Sequence, residues 1–192
     1  MNVPTFETMP TIAAQRVSLR PLTSNDANDL FRIFGDAEVM RFWSSPPWQD
    51  VADAHALIEN VTRGAAENQF YQWGVAHNDE DTVIGTCTLF QLDRRNRRAE
   101  IGFILRRDCW GQGFMTEALG ALLQFSFETM KLHRLEADVD PRNEACIRLL
   151  ERVGFQREGL LRERWLVNGE VNDSLMLGLL RGDFQTGSSE MN

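Results

Sequence analysis

Two glycines, Gly111 and Gly113, stand between an alternating apolar run (Ile101, Phe103, Leu105) and a strongly helical segment from about Met115 to Met130. A strand, a glycine turn and a helix N-terminus in succession can aim several free backbone N–H groups at one spot. The helix dipole adds about half a positive charge there. Without Cβ atoms, the glycines let anionic oxygens approach the backbone closely. The chemistry this predicts is capture of a phosphate-bearing anion without lysines. No Gly-Lys-Ser/Thr follows, so the turn is not a P-loop. The G-x-G-x-x-G spacing fails after Gly113, so it is not a dinucleotide fingerprint. Taken alone, such a turn also serves simply to join a strand to a helix.

The elements that must position this turn read as follows. Val17 to Leu22 alternates as a strand ended by Pro21. Thr23-Ser24-Asn25-Asp26 starts a helix with Leu30, Phe31, Ile33 and Phe34 on its apolar face, stopped by Gly35. Asp36 to Phe42 suggests a further short turn of helix. Trp43 to Trp48 is a proline-containing loop with two exposed-looking aromatics. Asp50 is placed to cap a helix running to about Ala66, with Ala54, Leu57, Ile58 and Val61 inward. Phe70 to His77, Thr82 to Leu92 and Ala99 to Leu105 read as a three-strand meander. Beyond the glycine turn and its helix, Leu135 to Val139 is a strand. Asn143 to Val153 is a helix, with Asn143 a natural cap and Gly154 its stop. Phe155 to Val167 and Val171 to Leu180 are strands joined by the hairpin signal Asn168-Gly169. This order predicts one three-layer α/β domain on a mixed, mostly antiparallel sheet flanked by helices. Its expected limits are 16–182, after an irregular lead-in over 1–15 and before a polar tail over 183–192.

Composition narrows the classes. The 192 residues carry 20 basic and 28 acidic side chains, a net charge of −8, with 43% hydrophobic residues. That is ordinary globular composition, against disorder, collagen or a disulfide scaffold. The acidic balance argues against direct nucleic-acid binding over a wide surface and suits a cationic substrate. Lys131 is the only lysine. Cys87, Cys109 and Cys146 show no metal spacing, and His55, His77 and His133 show none for a metal or a triad, so no metal is expected. Reduced cysteines, no secretory start and no long apolar run together predict a cytoplasmic protein without a membrane span.

The run Trp110-Gly111-Gln112-Gly113-Phe114-Met115-Thr116-Glu117-Ala118 resembles motif A of the GNAT superfamily of acetyl-CoA-dependent N-acyltransferases. More narrowly it is similar to the RimJ/RimL-like ribosomal-protein N-acetyltransferases, whose version runs Trp-Gly-x-Gly-x-x-Thr-Glu-Ala. Against the general pattern Arg/Gln-x-x-Gly-x-Gly/Ala, Trp110 stands at the Arg/Gln position and Met115 at the last small one. Two later stretches fit in order: Asn143 to Cys146 with Gly154-Phe155, resembling Asn-x-x-Ser followed by a helix and Gly-Phe, and Glu158 through Leu180, similar to the family's closing hairpin.

The resemblance implies acetyl-CoA as donor and an amine acceptor, a small molecule or a protein N-terminus. The pyrophosphate would sit on the amides of Gly111, Gln112, Gly113, Phe114, Met115 and Thr116. The pantetheine arm would run along Phe103, Ile104 and Leu105 in a slot where the strands on either side of the cofactor helix splay apart. An N–H near Phe103 or Ile104 would hold the oxyanion. Asn143 would contact the cofactor besides capping its helix. A substrate ammonium must lose a proton before it attacks a thioester. Glu100 is the candidate base; its alternative is a solvated partner for Arg97 or Arg98. Cys146, at the family's Ser position, is the candidate acid for the leaving thiolate, with a small buried thiol as its alternative. Glu163 and Asp173 would bind the substrate cation. Trp43 and Trp48 would wall the acceptor site or else form a flap over the core. Two other functions fit the same residues: a non-catalytic acyl-CoA sensor, and a transferase for another acyl group such as succinyl. Edge strands in the final hairpin are compatible with a homodimer.

Overall fold

In the computed structural model, residues 3–6, 8–167 and 169–184 are described. The elements run β1 (Ile12–Ala13), β2 (Val17–Arg20), α1 (Ala27–Phe34), α2 (Ala52–Ala66), β3 (Tyr71–His77), β4 (Val83–Asp93), β5 (Arg98–Leu105), α3 (Phe114–Gln124), β6 (Arg134–Val139), α4 (Glu144–Arg152), β7 (Gln156–Val167) and β8 (Glu170–Leu180). The strands make one sheet in the order β1-β2-β3-β4-β5-β6-β8-β7. Every neighbouring pair is antiparallel except β5 with β6.

Alternation along the strands divides the sheet between two cores. On one face, Tyr71, Trp73, Cys87, Leu89, Ile101, Leu135 and Leu177 pack with Leu119, Leu122 and Leu123 of α3 and Ile147 and Leu150 of α4. On the other, Leu22, Val83 and Ile104 pack with Leu30, Ile33 and Phe34 of α1 and Ala54 and Ile58 of α2. The three expected layers are present. The expected helix starts hold as well. Thr23 N–H donates to the buried Asp26, which pairs with Arg20 at 2.8 Å. Asp50 Oδ1 accepts from Ala52 N at 2.8 Å at the head of α2.

Four details differ from expectation. The lead-in is not wholly irregular: Ile12–Ala13 pairs with β2, and Val3 is buried. Residues 36–42 form consecutive turns rather than a helix, because the Asp36 carboxylate takes the Glu38 N–H at 2.8 Å and competes with helical pairing. The helix expected to reach Met130 stops at Gln124 and continues as one π-helical turn, Phe125–Thr129. There the Ser126 hydroxyl donates back to the Leu122 carbonyl at 2.7 Å. Widening the turn lets Phe125 face Trp73 while Phe127 faces Phe184. That last contact, at 5.2 Å between ring centroids, brings the start of the polar tail onto the core. Residues 185–192 of the tail, and Asn168 of the hairpin signal, lie outside the described residues. Among those described, no helix is long and apolar enough to cross a membrane, and no cluster of side chains is suited to a metal ion.

Candidate active site

The parallel pairing of β5 with β6 covers only Arg98, Ala99 and Glu100 against Arg134, Leu135 and Glu136. Beyond Glu100 the two strands part, and the facing edges of Ile101–Leu105 and Ala137–Val139 have no strand between them. This is the expected slot. Register decides which backbone groups line it. Arg106 N donates to Ile84 O at 2.7 Å, which fixes the antiparallel phase between β4 and β5. Glu100, Gly102 and Ile104 therefore spend their main-chain groups on β4, while Ile101, Phe103 and Leu105 turn theirs to the slot. Of the two expected oxyanion donors, Phe103 faces the slot and Ile104 does not. Leu105 is partly committed too: its carbonyl accepts from Trp110 Nε1 at 2.8 Å. That bond gives a use to the tryptophan at the family's Arg/Gln position.

The slot leads to the glycine turn. Gly111 and Gly113 have φ of +71° and +81°, a region that disfavours any side chain. Gly113 caps α3, and the first helical bond runs from Glu117 N to Gly113 O at 3.1 Å. The N–H groups of Gly111, Gln112, Gly113, Phe114, Met115 and Thr116 have no acceptor among the described residues. Four of them, those of Gly113, Phe114, Met115 and Thr116, are the orphan donors of the helix start. Together they form an anion cradle of backbone dipoles, with Phe114 and Met115 side chains buried beneath it. Arg16, which the sequence reading passed over, is joined to this turn. Its backbone N donates to Glu117 Oε1, its Nε to Glu117 Oε2 at 2.9 Å and its Nη1 to Gln112 O at 3.1 Å. Burial lifts the Glu117 carboxyl, but these bonds outweigh it and hold the group below its usual range.

Glu100 stands where β5 and β6 part, on the α1–α2 face of the sheet with Ile104. Among the described residues no cation lies within ion-pair distance of it, so the solvated pairing with Arg97 or Arg98 is not formed; Arg98 bonds Glu136 at 2.7 Å instead. Glu100 accepts one hydrogen bond, from Gln91 Nε2 at 3.1 Å. Burial, reinforced by the negative charge of Asp138 and partly offset by Arg164, lifts its carboxyl to about 7. Asp138 is itself held by Arg164 Nε at 2.8 Å and Trp165 Nε1 at 3.1 Å. Gln91, Asp138, Arg164 and Trp165 were not singled out in the sequence. Their approach depends on a β4 irregularity at Gln91 and a register shift in β7 between Leu161 and Trp165.

The other expected residues are placed as follows. Asn143 caps α4, its Oδ1 accepting from Cys146 N at 3.1 Å. Its amide nitrogen has no partner among the described residues, so capping and a cofactor contact are compatible. Cys146 packs against the α3–α4 core, and burial pushes its thiol up to about 12. An acid that weak is poorly matched to a leaving thiolate with an ordinary value of about 8.5, so the geometry favours the packing role. Trp43 and Trp48 are not exposed flags. Trp48 stacks on Phe34 at 4.4 Å and Trp43 meets the same ring edge-on at 6.0 Å. They brace the α1–α2 loop, whose Phe42 reaches Arg142 at 5.9 Å. Glu163 and Asp173 do come together, but Asp173 Oδ1 is occupied by the Glu163 N–H at 2.8 Å, which holds the β7 bulge.

A family model described as an acetyltransferase (GNAT) domain matches residues 16–156. An uncharacterized N-acetyltransferase, p20, from Bacillus licheniformis is 36% identical over 176 residues, covering 92% of this chain and 99% of its own. The ribosomal protein uS5-alanine N-acetyltransferase of Escherichia coli K12 is 26% identical over 150 residues, covering 73% of this chain and 77% of its own. Among solved structures, spermidine N-acetyltransferase from Vibrio cholerae, in complex with CoA and spermine, shares the fold with a TM-score of 0.78 at 24% identity, covering 88% of this chain and 98% of that one. The splayed slot, the glycine cradle and these matches lead to one assignment: the chain belongs to the GNAT acetyltransferase family, as an N-acetyltransferase that uses acetyl-CoA.

Proposed function

We propose that the chain acetylates a protein or peptide N-terminal amine by direct attack on the thioester, with Glu100 as general base. The observation that carries this reading is the position of Glu100. It is a carboxylate without an ion pair among the described residues, at the point where the slot opens, with its proton affinity raised to about 7. A base poised near the working pH is the kind that general catalysis needs. Glu100 takes a proton from the substrate ammonium. The nitrogen lone pair then forms the C–N bond to the thioester carbonyl carbon, while the Phe103 N–H supports the oxyanion. The C–S bond breaks, and the nitrogen's surplus proton passes to the departing thiolate, directly or through water. Gly111–Thr116 holds the pyrophosphate, Asn143 Nδ2 donates to the cofactor, and Cys146 packs beneath.

The charge pattern supports a single amine over a polyamine. Glu136 is matched by Arg98 and Arg134, Glu158 by Arg134, and Asp138 by Arg164. A polyamine calls for a row of free carboxylates, and these are already answered. The activity named for the uS5 relative points the same way. The test is acetyl transfer to peptides with free and blocked N-termini, to spermidine, and from both acetyl- and succinyl-CoA. We expect turnover only with free peptide N-termini and acetyl-CoA, rising with pH through about 7, and a loss of about 10²- to 10³-fold in kcat/KM in Glu100→Gln. Preference for spermidine would overturn the acceptor. Binding of acetyl-CoA without turnover on any amine would make the chain a sensor.

A further inference from the structure

We infer that Arg16 is the positioning residue that aims the Gly113 N–H into the phosphate cradle, with Glu117 holding Arg16 in place; this rests on reading Gly111–Thr116 as the acetyl-CoA site. The reason lies in one peptide unit. In a trans peptide the C=O and the following N–H point in opposite directions. The Gln112 carbonyl is drawn outward by Arg16 Nη1 at 3.1 Å, so the Gly113 N–H of the same unit is turned the other way, toward the cradle.

The turn needs such a hold. Glycine at 111 and 113 leaves the backbone with its widest freedom and no side chain to anchor it. Gln112 fastens one flank, donating through Nε2 to Asp108 O at 2.8 Å. Arg16 fastens the other, and it is itself over-determined. Its backbone N and its Nε both bind Glu117, its carbonyl accepts from Asn78 N at 2.9 Å, and its guanidinium lies 4.6 Å over the Phe114 ring. His77 meets the same ring edge-on at 5.5 Å. The arginine fork serves Glu117 and Gln112 at once, which a single ammonium nitrogen does not reproduce. The Arg16 side chain remains 45% exposed, and a pair so exposed adds little to stability. Its geometry at the turn is the more consequential property. A Cβ on Gly113 would come within 3.3 Å of Arg16 Nη2, so the two residues also fit each other sterically.

The test uses the full chain with Arg16→Lys and Arg16→Met, the latter keeping the stem over Phe114. Acetyl-CoA Kd is measured by calorimetry, and kcat and both KM values by steady-state kinetics. The expected result is a rise of about tenfold in acetyl-CoA Kd and KM in both variants. The kcat at saturating donor and the amine KM stay as in the parent, and the Gly113 amide resonance of the unliganded protein moves. Loss restored by lysine, or loss that disappears in high salt, would overturn the inference in favour of plain charge attraction; an unchanged Kd would overturn it outright. Gly113→Ala separates the two readings. If it too leaves Kd unchanged, the cradle itself is misplaced. If it weakens binding while the Arg16 variants do not, only the positioning role falls.

Discussion

Glu100 works against the stability of its own fold. Its carboxyl has an ordinary value of 4.5 when unfolded and about 7 when folded, because burial and Asp138 disfavour the charge. The folded state thus binds the proton more tightly, and stability is lost as pH rises from 4.5 through 7. Glu100→Gln removes that charge. We expect it to raise the melting temperature at pH 8 by a few degrees, equivalent to about 1–2 kcal/mol after allowing for solvent screening, with almost no gain near pH 4. Scanning calorimetry at the two pH values checks this; a lower melting temperature at pH 8 would show that the charged Glu100 is not penalised by burial. The position of Glu100 was legible, because strand alternation places it ahead of the glycine turn. The source of its basicity was not. Asp138 reads as one more polar residue in an alternating strand, and only pairing across β5 and β6 brings it near. Cys146 shows the reverse case: a motif position marked it for chemistry, and packing against the core makes it a poor acid.

Irregularities within strands account for most of what sequence periodicity missed. β7 shifts register against β8 twice, between Arg157 and Gly159 and between Leu161 and Trp165, with Glu163 left-handed in the second shift at φ +54°. Each such bulge changes which side chains share a face. Alternation alone therefore cannot say that Arg164 and Trp165 both reach Asp138. The π-helical turn after α3 escapes a 3.6-residue pattern for the same kind of reason. From β2 onward the order of the main strands and helices, the capping residues and the glycine turn were legible, because each is set by local chemistry; the two-residue β1 was too short to show a period. The bulge has a kinetic consequence. Asp138, held by β7, raises the Glu100 carboxyl, whereas Arg164 lowers it. Asp138→Asn leaves an oxygen for Arg164 and Trp165 but removes the charge. We expect the rising limb of the kcat/KM profile to move to lower pH by roughly half to one unit. An unmoved limb would separate Asp138 from the proposed base, Glu100.

Taken whole, the molecule combines a net charge of −8 with an anionic donor. The proposed cradle would answer this with backbone dipoles, whereas Arg106 and Arg107 line a separate hollow with Arg32, Asp36 and Asp108. The carboxylate surplus then acts on the acceptor. For a cationic peptide, kcat/KM is expected to fall as ionic strength rises from about 0.05 to about 0.5 M, while an uncharged amine analogue shows no such trend. Stopped-time assays across a salt series check it. The slot has a mechanical side as well. β5 and β6 share three residue pairs, so five strands on one side and three on the other are joined by a short ladder and by the apolar layer under α3 and α4. A pantetheine arm lying along Phe103 would offer amide groups where the chain leaves its own ladder open. The donor would then serve as a surrogate strand, and its pantetheine amides, present before and after transfer, would close the gap between β5 and β6.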